Sequence, residues 1–235
     1  MKSALLPLFT IVLLTMPVFA ADPATVMTER GALLFSDTFV PPVKISAAKS
    51  LGEFARGKFD QGWRVEPGKW EFVAGTLVGA QVPKLHSAVA SHLLPAQDFV
   101  LQFDLRMDGA RRVTLRVNDL DEHICRVVFE SDGFSTQKDD HDHTGPDQPV
   151  PFGKIPLPIK PGEWKTVVVE IVGDELVVTT EGRTLAGAHP LIGTKKANFG
   201  FVVPGQYASF RNVRIWAAKP RADWPQRRAA LMEKP

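Results

Sequence analysis

The sequence predicts an all-β fold, two antiparallel sheets packed face to face, and three observations carry that prediction. Residues 99–107 alternate apolar and polar side chains without a break, Phe99, Leu101, Phe103, Leu105 and Met107 against Gln102, Asp104 and Arg106, which is the period of a half-buried strand. Segments of the same kind recur along the chain to a total of about twelve, set apart by Gly, Pro, Asp and Asn turn signals. Helical periodicity is almost absent.

The N-terminus stands apart. Lys2, an apolar run over 4–14 and the small residues Val18 and Ala20 have the pattern of an export signal over residues 1–20, cut after Ala20. The run is shorter than the roughly 20 residues a bilayer span needs, and no second one follows, so no transmembrane segment is expected. Residues 21–31 read as a flexible leader. The sandwich occupies 32–218, and 219–235 form a tail or short amphipathic helix.

Within the domain, 32–39 supply a first strand around Ser36 and Asp37, and 46–56 have the spacing of a short helix capped by Ser46. Strands follow at 62–65, 69–73 and 76–79, separated by Pro67-Gly68 and Ala74-Gly75, and another at 87–93. After the alternating 99–107 come 113–118 and 123–130. In the second of these Cys125, Val127 and Phe129 are the core set, and Arg126 and Glu130 lie opposite. Ser131-Asp132-Gly133 turns the chain into 134–138. Six prolines between Pro146 and Pro161 make 139–160 a long crossing loop unable to donate to a ladder. A meander over 164–188 turns at Gly173-Asp174 and Glu181-Gly182, and two closing strands cover 198–203 and 207–217.

Charge and cysteine content bound the function. Without Lys2 the chain carries 27 basic and 26 acidic residues, which gives no electrostatic reason to expect nucleic acid or an anionic membrane. The lone Cys125 excludes an intramolecular disulfide and, within an apolar alternation, reads as a buried thiol.

Several side chains carry chemistry. On the outward face of their strands Asp104, Arg106, Arg116 and Arg126 offer carboxylate and guanidinium forks suited to polyol hydroxyls or a sugar carboxylate, or else a solvated face of cross-strand ion pairs. The run Asp139, Asp140, His141, Asp142 and His143 is a loop able to hold a cation, to place His141 as a general base, or to stand as a solvated tip. Ligands two apart on one segment are a weak metal signature, so no metal or other cofactor is expected. Asp37 and Asn212 read as strand or turn caps before calcium ligands, Trp63, Trp70, Trp164 and Trp216 as core before sugar platforms, and His86, His92, His123 and His189 as structural.

The order of elements carries a resemblance. Gly-Lys-Trp-Glu-Phe-Val-Ala-Gly-Thr-Leu-Val-Gly, then Asp-Phe-Val-Leu-Gln-Phe-Asp-Leu-Arg, a Pro-Gly-Glu-Trp strand and a final Phe-Arg-Asn-Val-Arg-Ile resemble the 3-keto-disaccharide hydrolase-like domains. Those are secreted jelly rolls of the concanavalin A-like lectin and glucanase superfold, and the resemblance spans about residues 34–216. It implies a jelly roll whose concave sheet carries Asp104 and Arg106 with Arg116 on the next strand. The Glu-x-Asp-x-x-Glu strand of laminarinase-type glucanases is not reproduced; Glu170 and Asp174-Glu175 flank a turn.

The expectation is therefore an exported carbohydrate-active domain that binds a glycan on its concave face, with or without hydrolysis of a glycosidic bond. Asp104 and His141 are the catalytic candidates, and Arg106, Arg116, Arg126, Asp140 and His143 the substrate contacts. The alternative is a noncatalytic module holding protein or cell-surface polymer.

Overall fold

The computed structural model describes residues 22–46, 62–141, 144–146 and 148–232. The export signal at 1–20 and all but the cap of the helix expected over 46–56 lie outside the described residues. In chain order the strands are β1 (Thr28–Asp37), β2 (Trp63–Arg64), β3 (Lys69–Val73), β4 (Thr76–Ala80), β5 (Ala88–Leu93), β6 (Phe99–Ala110), β7 (Arg112–Asn118) and β8 (His123–Glu130). They continue with β9 (Gly133–Lys138), β10 (Val150–Pro156), β11 (Trp164–Val172), β12 (Glu175–Thr180), β13 (Arg183–Ala188), β14 (Asn198–Val203) and β15 (Gly205–Pro220), and a helix α1 (Trp224–Met232) follows.

Two antiparallel sheets result. One runs β13-β12-β11-β6-β15-β4-β3, with β1 joined to the free edge of β15 to make eight strands; the other runs β10-β9-β8-β7-β14-β5-β2. This is the jelly-roll sandwich that the alternation predicted. The alternating strand supplies its middle: Phe99, Leu101, Phe103 and Leu105 are fully buried, and Val113, Leu115 and Val117 of β7 face them from the second sheet. Phe201 of β14 stacks on Phe210 of β15 with ring centroids 4.1 Å apart and lies 5.0 Å from Phe103, so aromatic contacts tie the layers together. Each such ring contributes about 1.5–3 kcal/mol by leaving water. Cys125 is buried in the same core.

Two expectations are corrected. The leader over 21–31 is ordered at its end, because β1 begins at Thr28 and the backbone N–H groups of Val26, Met27 and Thr28, with the Thr28 hydroxyl, all donate to the buried Glu170 carboxylate at 2.7–2.9 Å. The crossing loop at 139–160 contains a strand, since β10 pairs with β9 despite Pro151 and Pro156. It is the last strand of its sheet, and proline's missing donor is harmless on the side that faces no neighbour.

One connection decides where the polar residues go. Arg111 alone separates β6 from β7, yet the two belong to different sheets, the chain turning the corner just past Gly109 at φ +106. A left-handed backbone of this kind favours glycine. The outward faces of β6 and β7 therefore look in opposite directions.

Candidate functional site

The corner splits the predicted site residues into two groups. Asp104 and Arg106 lie on the outer face of the eight-stranded sheet, Arg116 and Arg126 on that of the seven-stranded sheet, and the single trough expected to gather all four does not form.

On the eight-stranded side the polar groups satisfy one another. Asp104 is 8% exposed; one carboxylate oxygen accepts from the Thr166 hydroxyl at 2.8 Å, the other from Arg211 Nε at 3.0 Å and Asn212 Nδ2 at 2.7 Å. Asn212 occupies a bulge of β15 at φ +52, between the register pairs Arg211–Asp104 and Arg214–Gln102. Asp104 thus fastens the bulge. Arg106 donates to Asp108 at 2.8 Å and, like Arg211, lies over the Trp164 ring. Elsewhere on this face the N-terminal segment and α1 cover apolar side chains, with Met27 and Trp224 packed on Val177. Of the other four tryptophans, Trp63 is core, Trp70 packs partly buried against the core, and Trp164 and Trp216 belong to this outer face.

The seven-stranded sheet presents a different row. Register pairs Arg64 with Ser91, Ser91 with Gly200, Gly200 with Arg116, Arg116 with Arg126 and Arg126 with Gln137, all on one outward face. Arg64 and Ser91 are about 1% exposed, whereas Arg116, Arg126 and Gln137 are half-buried. The row opens toward the β7–β9 end.

There a relay of hydrogen bonds forms. Arg116 Nη1 donates to His123 Nε2 at 2.9 Å, which requires that nitrogen to accept and the proton to sit on Nδ1. Nδ1–H then donates to Asn118 Oδ1 at 2.7 Å, and Asn118 Nδ2 donates to Asn198 Oδ1 at 2.7 Å. Burial first, then the positive charges of Arg116 and Arg126, push His123 down to about 3, so the imidazole is neutral at physiological pH. Arg126 Nε and Gln137 Nε2 both donate to Asp139 Oδ1, and Asp139 is fully buried.

A second pair flanks this group. His141 Nε2 donates to Asp119 Oδ2 at 2.6 Å, and Asp119 Oδ1 accepts from the backbone N–H groups of Asp121 and Glu122. Burial pulls Asp119 upward, but the N–H groups of Glu122 and Asp121 and the His141 imidazole outweigh it and hold the carboxyl below its ordinary range. An ionised carboxylate thus orients a half-exposed imidazole. Asp140 is half-buried and makes no side-chain hydrogen bond among the described residues, and His143 lies outside them.

His123, Asp119, Gln137, Asn118 and Asn198 are members of the site that pattern reading passed over. The parity of β8 puts His123 with Cys125 on the core side, but the register shifts between Val117 and Asn118, and Ile124 and Cys125 both enter the core. The extra residue turns His123 outward beside Arg116. Two adjacent apolar residues at the head of a strand were the available signal.

Among the described residues no three His, Cys, Asp or Glu side chains gather as a metal site. Asp37 binds the Phe39 N–H and Trp63 Nε1, the cap role assigned to it. A cleft of about 430 Å³ bounded by Lys69, Gln81, Lys84, Gln206 and Tyr207 lies away from the site and contains neither carboxylate nor histidine.

No family profile and no curated protein matches the sequence. Solved structures do resemble the fold. A carbohydrate-binding module from Bacillus subtilis aligns with a TM-score of 0.52 at 15% identity, over 67% of this chain and 96% of that one. A non-specific endo-β-1,3(4)-glucanase aligns with a TM-score of 0.51 at 10% identity, over 83% of this chain and 96% of that one. Both are concanavalin A-like jelly rolls, and at these identities the likeness establishes the architecture.

Proposed function

We propose that this protein binds carbohydrate on the outer face of the seven-stranded sheet, at the end where Arg116, His123, Arg126 and Gln137 meet the Asp119–His141 pair. One observation carries the proposal: two guanidinium groups, a carboxamide and two imidazoles converge on a half-exposed surface, whereas the matching region of the other sheet is internally bonded or covered. Such planar donors and acceptors suit vicinal hydroxyls and ring substituents. The jelly-roll neighbours and the element order that resembles 3-keto-disaccharide hydrolase-like domains support the same assignment. The pattern of residues 1–20 supports action outside the cytoplasm, and no helix among the described residues is long and apolar enough to cross a membrane.

Binding is favoured over glycoside hydrolysis by the state of the carboxylates. Asp139 is buried beneath Arg126 and Gln137, and both oxygens of Asp119 are occupied, so neither is placed as nucleophile or acid. The Asp119–His141 pair keeps turnover as the second reading, because a carboxylate-oriented imidazole is a general base. Affinity electrophoresis through gels containing single polysaccharides tests the first reading. At least one glycan should retard the protein, and retardation by none overturns the assignment. A reducing-sugar assay on the retained glycan tests the second, with H141A expected to abolish release while retardation persists.

A further inference from the structure

We propose that the cross-strand pair Arg116 and Arg126 holds an anionic substituent of the bound sugar, a carboxylate or a sulfate ester, so that the protein selects acidic over neutral polysaccharides. The proposal rests on the carbohydrate assignment above and narrows its ligand.

Arg116 and Arg126 stand directly opposite each other in the β7–β8 register, on the same face. Like charges in that position destabilise a sheet. Direct carboxylate bonding is one-sided: Asp139 binds Arg126 Nε, whereas Arg116 bonds a neutral imidazole and feels Asp139 and Glu122 only through space. His123 cannot supply the missing negative charge; it accepts one N–H and so fixes the plane of the Arg116 guanidinium.

The donors left for a ligand are the terminal nitrogens of Arg126 and Nη2 of Arg116, which make no hydrogen bond among the described residues; Arg116 Nε is buried and faces the protein. Asp139 Oδ2 is buried and unpartnered, and the bonds from Arg126 and Gln137 to Oδ1 hold the carboxylate beneath them. With a side-chain exposure of 28% at Arg126 and a half-buried Arg116, the pair is reachable from solvent but screened less than a surface arginine. Two planar forks standing directly opposite each other on a partly desolvated floor together form a receptor for a small oxyanion carried on a larger neutral scaffold. A sugar acid or sugar sulfate has that form.

Affinity electrophoresis with polygalacturonate, dextran sulfate and unmodified dextran separates the outcomes. Retardation by either acidic polymer and not by dextran is expected, and which one retards tells carboxylate from sulfate. R116Q should weaken that retardation by about 10-fold or more. R116K, which keeps the charge but loses the fork, should fall between, and R183Q, an exposed arginine on β13 of the other sheet, should behave as wild type. Thermal melts confirm that each variant is folded. Equal retardation by dextran, or acidic retardation untouched by R116Q, overturns the anion pocket and leaves carbohydrate binding in place. Retardation by no polysaccharide in this set or in the wider panel removes both.

Discussion

The neutral state of His123 couples the site to stability, and the size of that coupling follows from the structure. In the unfolded chain this imidazole titrates near 6.5, while in the fold burial and the two arginines push it down to about 3. Between those values the unfolded state binds a proton that the native state refuses, so the group favours the fold fully above about pH 6.5 and its contribution is lost as the pH falls toward 3. By linkage the loss between pH 7 and pH 4 is about 3 kcal/mol, about 1 kcal/mol of it by pH 5.5. H123Q removes the titration while its carboxamide still offers a donor to Asn118 and an acceptor to Arg116. Urea unfolding of wild type and H123Q at pH 7, 5.5 and 4 reads the difference directly, because every carboxylate contributes equally to both proteins and cancels. The wild type should lose about 3 kcal/mol more than H123Q over this range. Parallel losses would show that His123 accepts its proton in the folded protein, and would refute both the tautomer assignment and the electrostatic account of the relay.

Three further outcomes are expected. E170Q places an amide donor among the four donors that now converge on a buried carboxylate, and it should lower stability by about 3 kcal/mol and expose residues 22–28 to proteolysis, read by thermal melts and N-terminal mapping. D104N should lower the melting temperature, through loss of about 1–3 kcal/mol of charge-assisted bonding to Arg211 and Asn212, yet leave polysaccharide retardation unchanged; altered retardation would return the binding face to the eight-stranded sheet. Cys125, fully buried and pushed up to about 12 by burial and the nearby Asp139, should resist a thiol reagent at pH 8 until the protein is unfolded in urea, and rapid native labelling would contradict its place in the core.

The fold was legible because alternation is a local property. Phe99 to Met107 states which side chains meet the core, and the structure buries the apolar row. Alternation does not state which sheet a strand joins. Asp104 and Arg116 each face outward from their own strand, and nothing in either segment reveals that the single residue Arg111 carries the chain from one layer to the other. The prolines of 139–160 misled for a related reason: they forbid a central strand but tolerate an edge, and edge position is a property of the assembled sheet. His141 was visible as part of an unusual cluster, but its partner Asp119 lies 22 residues away, and only the closure of β7, β8 and β9 into neighbours brings them together.

What separates the two polar faces is how far each satisfies itself. Around Asp104 both carboxylate oxygens are bonded, and the cluster contributes to holding a bulge. Around Arg116 and its cross-strand neighbour Arg126, three buried polar atoms lack partners: Arg116 Nε, Asp139 Oδ2 and Asn198 Nδ2. Each costs about 1–3 kcal/mol while it stays unmet. Orphaned atoms occur elsewhere, Arg30 Nε on the eight-stranded face and Ser91 Oγ, Thr136 Oγ1 and Thr180 Oγ1 among them, but none of these belongs to an opposed pair of like charges. A face retained only for stability would replace the Arg116–Arg126 juxtaposition with an ion pair or an apolar pair at no loss of packing. The juxtaposition beside a neutral histidine makes sense if a further partner arrives with a ligand, and this is why the seven-stranded sheet, and not the better bonded one, carries the functional assignment.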